Sequence, residues 1–188
     1  MKNTFPKCSS RINRQSLVSV FIGLLTAFVS CSGGRGIDND DFTSKPNYDV
    51  IQQIQYHYED ATIPPKYHRS YTITIAKNQV NIVINSYENI IANQSYKISN
   101  EQFNSILSSM RNHEIGNCEL GKDTGCSGGT SESVIGIITE EEIFDGEVYH
   151  CGGYDFGDLC GDVTHFAYDV KSLIPNLKEL LSLEIEYE

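Results

Sequence analysis

Residues 116–161 read GNCELGKDTGCSGGTSESVIGIITEEEIFDGEVYHCGGYDFGDLCG and contain four of the six cysteines of the chain. These four are Cys118, Cys126, Cys151 and Cys160. Structural zinc sites usually draw their ligands from pairs two to four residues apart, and the two pairs here are spaced much more widely. An even number of cysteines in an exported domain is typical of disulfides. The sequence therefore predicts a disulfide-stapled domain without a metal.

Four cysteines allow three pairings, and the sequence alone leaves them open. Loop-closure entropy favours the two short local loops, which would join Cys118 to Cys126 and Cys151 to Cys160. The alternative is pairing across strands, with Cys126 joined to Cys151 or to Cys160. The other two cysteines belong to the N-terminal segment.

The same stretch carries the clearest hairpin signal in the sequence. The segment from Ser133 to Thr139 is rich in β-branched residues, which predicts a strand. Asp145-Gly146 is a tight-turn dipeptide, so the segment from Val148 to Cys151 is expected to return as the second strand. Residues 140–142 are three glutamates, which are expected at a solvated end of this hairpin.

Alternating segments upstream predict an antiparallel meander. From Val50 to Tyr58, apolar or aromatic side chains share one face and polar side chains share the other, as in a half-buried strand. Arg69 to Lys77 alternates in the same way, and a short turn leads to a third strand over Val80–Ile84. A fourth strand is expected between Asn89 and Ile98.

Helix signals follow the meander and close the chain. Residues 99–102 form a capping box, Ser-Asn-Glu-Gln, and apolar residues then recur at helical spacing from Phe103 to Met110. Asp162 can cap a second helix, and Pro175 suits the start of a third, short one. The sequence therefore predicts an α+β fold, with an antiparallel sheet of about six strands and two or three packed helices. A single domain is expected to span residues 48–188.

The N-terminal segment has the features of an export signal. Residues 2–14 are polar and basic, and Leu17–Ser30 is an apolar run of about fourteen residues, shorter than the roughly twenty that span a membrane. The tetrapeptide Phe28-Val29-Ser30-Cys31 ends this run. Over residues 1–31 the chain resembles bacterial lipoprotein precursors, in which a small residue precedes a cysteine that becomes lipidated. Beyond residue 31 it resembles bacterial lipoproteins of no assigned activity.

The resemblance implies that residues 1–30 are removed as a signal peptide and that Cys31 becomes the acylated N-terminus, with palmitate as the expected chain. It also implies more than one acyl chain, which stable membrane anchoring needs. Residues 31–47 are glycine-rich and then acidic, so they are expected to form a flexible tether. The protein is expected in the bacterial cell envelope, at the outer membrane and on its periplasmic or surface side. A cleaved soluble protein and an uncleaved membrane anchor are the alternatives.

The chain that follows this leader is strongly acidic. The whole sequence has a formal charge of −11, and residues 1–30 contain four basic residues and no acidic one. The fourteen basic residues less these four leave ten against 25 acidic residues, a formal charge of −15. Such a surface repels nucleic acid and anionic lipid headgroups, so no nucleic-acid partner is expected. Solubility alone also explains the acidity.

A cationic and aromatic patch stands out in this acidic sequence, formed by Lys66, Tyr67, His68, Arg69 and Tyr71. An arginine beside tyrosines can grip a carboxylate or a phosphate, and loops that lead into strands often carry binding sites. These five residues are therefore the candidate binding patch. The alternative is that Arg69 and Lys66 pair with the protein's own acidic residues.

Histidines near the cysteines are the candidates for catalysis. His150 adjoins Cys151, and His113 and His165 flank the cysteine-rich stretch. A cysteine–histidine pair can act as a nucleophilic site, but a cysteine in a disulfide is no nucleophile. The sequence thus predicts no catalytic residue with a complete set of partners.

Carboxylates after Gly153 could bind a cation, but loop solvation and helix capping also explain Asp155, Asp158 and Asp162. No metal or cofactor is expected. The leading hypothesis is a lipid-anchored envelope protein that binds a protein partner or has a structural role, without catalysis. One alternative is an inhibitor or immunity-type protein against an exported enzyme, since an acidic surface suits a basic target. The other is a hydrolase or thiol enzyme that uses His150 and His165.

Overall fold

The alternating segments of the sequence become the strands of one sheet. A computed structural model of the protein describes residues 45–121 and 127–184. A 3₁₀ turn at Tyr48–Val50 precedes the regular elements. In chain order these are β1 (Gln53–Glu59), β2 (Ser70–Ala76), β3 (Gln79–Ser86), β4 (Asn89–Lys97), α1 (Asn100–Asn112), β5 (Gly116–Asn117), β6 (Thr130–Ile138), β7 (Glu141–Cys151), β8 (Tyr154–Gly157), β9 (Leu159–Cys160), α2 (Val163–Ser172) and α3 (Leu177–Leu181).

Seven strands form an antiparallel sheet in the order β4-β3-β2-β1-β6-β7-β8. β1 lies at the centre because it pairs with β2 on one side and with the distant β6 on the other. β5 and β9 form a separate two-stranded sheet, in which Gly116 pairs with Cys160 and Asn117 with Leu159. The predicted α+β fold with an antiparallel sheet is confirmed, with seven strands in the main sheet instead of about six.

Strand alternation sorts the side chains of the sheet onto two faces. On β1, β2 and β3, every second side chain is buried in the core, namely Ile54, Tyr56, Tyr71, Ile73, Ile75, Val80, Ile82 and Ile84. Buried residues of all three helices belong to the same core cluster, so the helices pack on this inner face of the sheet. Each isoleucine that is fully buried there contributes about 1.5–3 kcal/mol of transfer free energy. The opposite, outer face receives no helix from the described residues.

Side-chain caps start the two longer helices where the sequence predicts them. Ser99 Oγ accepts the Gln102 N–H at 3.2 Å, and Gln102 Oε1 accepts the Ser99 N–H at 2.9 Å, which completes the capping box of α1. Asp162 Oδ1 accepts the His165 N–H at 3.2 Å and caps α2 in the same manner. Residues close in sequence therefore fix where these helices begin. The buried apolar face of each helix then packs against the sheet.

The turn of the β6–β7 hairpin differs from the prediction. Asp145 and Gly146 lie within β7, and the chain reverses at Thr139-Glu140 instead. Gly146 is buried, and a Cβ atom there would lie 3.1 Å from Leu159 Cδ1. The glycine thus serves the close packing of β7 against β9 and makes no turn.

The preference for short local disulfides is wrong. Cys118 is bonded to Cys160, 42 residues later, with the two Cα atoms 5.8 Å apart. Pairing of β5 with β9 brings these cysteines together, whereas each doubling of a closed loop costs only about 0.6 kcal/mol. The general prediction of a disulfide is confirmed by this pair. Cys151 is disulfide-bonded as well, and Cys126 lies outside the described residues.

Several predictions for the N-terminal segment concern residues outside the described part of the chain. These are the signal peptide over residues 1–30, the lipidation of Cys31 and the tether up to residue 44. Among the residues that are described, no helix is long and apolar enough to cross a membrane. Lipid anchoring through Cys31 therefore stays a prediction.

Candidate functional site

The outer face of the sheet points away from the described helices. It consists of the half-buried or exposed side chains that alternate with the core residues, namely Gln53, Gln55, His57, Thr72, Thr74, Asn81, Val83, Asn93, Ser95, Ser133, Ile135 and Ile137. Most of these carry neutral amide or hydroxyl groups, which can both donate and accept hydrogen bonds. Ser95 O–H donates to Asn81 Oδ1 at 2.7 Å, and His57 Nδ1 lies 2.9 Å from Thr72 Oγ1. The outer face is therefore a polar, hydrogen-bonding surface on a rigid sheet.

Carboxylates line one margin of the outer face. The register places Glu142 beside Ile137, and it places Asp145 and Glu147 in the next outward positions along β7. Together with Glu140 and Glu141 at the hairpin turn they form the acidic margin, and all five side chains are exposed. None of the ion pairs found among the described residues includes them. The margin thus projects uncompensated negative charge beside the polar face.

The predicted binding patch does not form one surface. Lys66 and Tyr67 are exposed, whereas Tyr71 is buried in the core. Arg69 turns towards the C-terminal end of α3, where its Nε and Nη2 donate to the carbonyl groups of Leu181 at 3.2 Å and Leu183 at 2.6 Å. The arginine therefore ties β2 to the C-terminal segment, and the structure separates the residues that the sequence places side by side.

His68, the remaining member of the patch, is only 1 % exposed. Its Nδ1 accepts the Tyr87 N–H at 3.4 Å, and its ring stacks on that of Tyr87. Its Nε2 lies 3.3 Å from Ser70 Oγ and 3.6 Å from Glu59 Oε1. A catalytic triad would need the acid and the serine at opposite ring nitrogens, and here both face the same nitrogen. His68 therefore orders the loop between β1 and β2.

A buried carboxylate, Glu132, lies at the seam between the sheet and α2. Tyr56 O–H donates to Glu132 Oε1 at 2.5 Å, and Lys171 Nζ lies 3.8 Å from the same oxygen. His150 Nε2 lies 3.6 Å from Glu132 Oε2. A buried charge needs such partners, because its desolvation is otherwise costly. Strand alternation from Val134 places Glu132 on the inner face, but no motif in the sequence marks it as a buried ion-pair residue.

His150 joins this network with both ring nitrogens. Its Nδ1 lies 2.7 Å from Asp155 Oδ1, while its Nε2 faces Glu132. Each ring nitrogen of His150 therefore faces a carboxylate oxygen. The neighbouring Cys151 is bonded in a disulfide. His150 therefore contacts two carboxylates. The thiol enzyme hypothesised from the sequence would need a free Cys151 thiol beside His150, and Cys151 is in a disulfide.

Lys171 holds α2 on the sheet through a group of three tyrosines. Its Nζ lies 5.4 Å, 5.7 Å and 5.9 Å from the ring centroids of Tyr56, Tyr58 and Tyr71. Such cation–π contacts are favourable within about 6 Å. Burial raises the pKa of the Tyr56 and Tyr71 hydroxyl groups above the ordinary value of 10, so both stay protonated. Lys171, Glu132 and Tyr56 thus contact one another where α2 packs on the sheet.

The second catalytic candidate, His165, lies in a separate cluster between α1 and α2. Its Nδ1 lies 2.6 Å from Asp162 Oδ2, and its ring stacks on that of His113 at a centroid distance of 5.8 Å. His113 Nε2 lies 3.6 Å from Asp169 Oδ2, which also accepts the Ser109 O–H at 2.6 Å. The backbone N–H of His165 lowers the pKa of Asp162 below its usual range. His150 and His165 therefore act in different clusters.

The three aspartates considered for cation binding also have separate contacts. Asp155 contacts His150, Asp158 Oδ1 accepts the Glu147 N–H at 2.9 Å, and Asp162 caps α2. Over the described ranges, no group of three or more histidine, cysteine, aspartate or glutamate residues is arranged to hold a metal ion. The geometry therefore gives no support to a cation site among these carboxylates.

Comparison with protein-family models, with curated proteins and with solved structures returns no match.

Proposed function

We propose that this protein is a lipid-anchored protein of the bacterial cell envelope whose folded domain binds a partner protein through the outer face of the sheet. The observation that carries the proposal is the one-sided packing of that sheet, with helices on the inner face and a polar hydrogen-bonding surface on the other. Acylation of Cys31 would anchor the protein to the membrane, and residues 31–47 would act as a flexible tether between the membrane and the folded domain.

The state of the reactive side chains supports binding over catalysis. The guanidinium of Arg69 donates hydrogen bonds to backbone carbonyl groups, and His150 lies between two carboxylates. Cys118 and Cys160 are bonded to each other. The side chains of the outer face, in contrast, stand on paired strands, which hold them in place for recognition.

Charge indicates the chemistry of the partner. The acidic margin flanks the outer face, and the chain after residue 30 has a formal charge of −15. Complementary charge raises association rates and suppresses wrong partners. We therefore expect a partner whose contact surface is basic, and a complex that forms more slowly as salt concentration rises.

The anchor is tested with Cys31→Ala in the native host. The expected result is loss of labelling by a palmitate analogue and release of the domain from the membrane fraction. Ser32→Ala, one residue further on, serves as the matched control and should leave both unchanged. Labelling that persists in Cys31→Ala would refute lipid anchoring at this residue.

The binding surface is tested with Asn81→Arg/Ser133→Arg, which places two bulky cations on the outer face. Cross-linking in intact cells followed by mass spectrometry should identify a partner with the unaltered protein and lose it with this variant. The control Ser105→Arg changes an exposed position of α1. A partner retained equally by both variants would exclude the outer face as the contact surface.

The acidic margin favours a second candidate, an inhibitor or immunity-type protein for a basic exported enzyme. Glu142, Asp145 and Glu147 project from one strand without ion-pair partners in the described part of the chain. Such an arrangement suits a stoichiometric complex with a cationic active-site surface. Glu142→Gln/Asp145→Asn/Glu147→Gln should then weaken both the complex and the inhibition, and an unchanged inhibition constant would exclude this candidate.

A further inference from the structure

A groove of about 480 Å³ lies where the 3₁₀ turn meets the first half of α1 and the ends of β2 and β6. Volumes of this order are typical of sites for small molecules. The groove shares no residue with the outer face, which it adjoins at Gln52-Gln53 and at Ile137-Ile138.

Five of the nine residues that line the groove are apolar, and Gln52 and Asn104 add neutral polar groups. Phe103 and Ile51 are buried beneath it, and Leu107 and Ile138 are half-buried along it. Val50 lies at its edge with 40 % of its surface exposed. The alternation predicts that Val50 begins a half-buried strand, whereas in the structure Val50 lies in the 3₁₀ turn. Apolar surface that remains accessible in a concave site favours an apolar ligand body.

Two charged side chains line the groove, and only one of them is compensated. Asp49 Oδ1 accepts a hydrogen bond from Arg111 Nη2 at 2.6 Å. Lys77, at the turn between β2 and β3, takes part in none of the ion pairs found among the described residues. Among the residues that line the groove, Lys77 is therefore the charged group left for a ligand, while the acidic margin begins at Glu140, two residues beyond Ile138.

The geometry points to a binding site for a small amphiphile that has an apolar body and an anionic head, such as a medium-chain carboxylate. The alkyl body would cover Val50 and Leu107, and the head would pair with the Lys77 ammonium. The only carboxylate of the lining, Asp49, is paired with Arg111. This site goes beyond the proposed function, because it holds whether or not the outer face binds a protein.

The test is a titration of the ¹⁵N-labelled domain with decanoate below its critical micelle concentration, followed by amide chemical shifts. Decanol and decyltrimethylammonium serve as neutral and cationic probes of the same chain length. We expect saturable shifts confined to residues 49–52, 77 and 103–107, with decanoate binding most tightly. Lys77→Gln should weaken decanoate binding about three- to fivefold and leave decanol binding unchanged.

Matched variants separate the contributions of charge and apolar contact. Lys178→Gln removes another exposed lysine, on α3, and should bind decanoate as the unaltered domain does. Val50→Ser should weaken decanoate and decanol alike, because it removes shared apolar contact. Decanol binding as tightly as decanoate, or decanoate binding equally to Lys77→Gln, would overturn the inference.

Vesicles distinguish the two possible sources of the anionic head, a free amphiphile and a membrane lipid. If the domain bound vesicles of phosphatidylglycerol through Lys77 but gave no shifts with decanoate, the site for a free amphiphile would be refuted. The outer-face variant Asn81→Arg/Ser133→Arg, which should lose partner cross-linking, should still bind decanoate as the unaltered domain does. Failure of one proposal is thus distinguishable from failure of the other.

Discussion

At the scale of single residues, the contacts that define this molecule join side chains far apart in the chain. Glu132 accepts a hydrogen bond from Tyr56 and faces Lys171, so one carboxylate links β1, β6 and α2. Its side chain is only 11 % exposed. If Glu132 were removed, Tyr56 and Lys171 would each be left with a polar group that lacks its partner.

Glu132→Ala is expected to lower the free energy of unfolding by about 2–3 kcal/mol, because Tyr56 loses its acceptor and Lys171 its counter-charge. Urea denaturation followed by far-UV circular dichroism measures the loss. Glu140→Ala changes an exposed glutamate of the neighbouring turn and should stay within about 0.5 kcal/mol of the unaltered protein. Equal stability of the two variants would show that the Glu132 network contributes nothing.

Gly157→Ala is expected to cost more than about 3 kcal/mol, because backbone strain and a steric clash combine. The φ of Gly157 is +116°, and a Cβ atom there would lie 2.2 Å from the carbonyl oxygen of Glu147. Gly153 has a φ of +84° but open space around its Cβ position, so Gly153→Ala should cost only about 1 kcal/mol. Thermal unfolding of both variants separates the two effects, and similar melting temperatures would argue against the clash.

Residue patterns predict the face on which a side chain lies better than they predict its partners. Alternation places Glu132 on the inner face of β6, and that signal was available from the sequence. The patch from Lys66 to Tyr71 shows the limit, because five residues adjacent in the chain point to different surroundings. Arg69 meets Leu181 and Leu183, more than a hundred positions away, and no local pattern encodes that contact.

At the scale of elements, the cap of α2 makes stability depend on pH. Asp162 accepts the His165 N–H, which lowers the pKa of its carboxyl group below the ordinary value of 3.8. A lowered folded-state pKa contributes stability that is complete above the unfolded pKa and is lost as pH falls through the folded one. The stability difference between the unaltered protein and Asp162→Ala should therefore be present at pH 5 and shrink below about pH 4.

Urea titrations of both proteins at a series of pH values measure this difference. Asp158→Ala is the control, since Asp158 accepts a backbone N–H but caps no helix. A difference that grows as pH falls from 5 to 3 would contradict the assigned direction of the pKa shift of Asp162.

Elements with local signals could be predicted, and those that depend on distant pairing could not. The capping box of α1 and the alternation of β1–β3 are encoded within a few residues, and the structure contains both. Asp145-Gly146 has the composition of a turn, but long pairing of β6 with β7 overrides it. The short strands β5 and β9 have too few residues for any periodicity, and they decide which cysteines meet.

At the scale of the whole molecule, the bond between Cys118 and Cys160 encloses β6, β7 and β8 within one covalent loop. In the chain-entropy model a loop of 42 residues contributes about 4 kcal/mol, chiefly by restricting the unfolded chain. Cys118→Ser/Cys160→Ser is expected to lose about 2–4 kcal/mol in urea denaturation without reductant. Peptide mapping of the unreduced protein tests the pairing directly, and a Cys118–Cys126 peptide would refute it.

The order in which the chain is made has a consequence for the one-sided sheet. β1 is the central strand, yet its neighbour β6 and the helices α2 and α3 come much later in the sequence. Until the later elements have been synthesised, the isoleucine-rich inner face of β1–β4 has only α1 to cover it. Incompletely covered apolar sheets aggregate or bind holding chaperones. We therefore expect the N-terminal half of this protein to complete its folding only after β6 and the later helices have been synthesised.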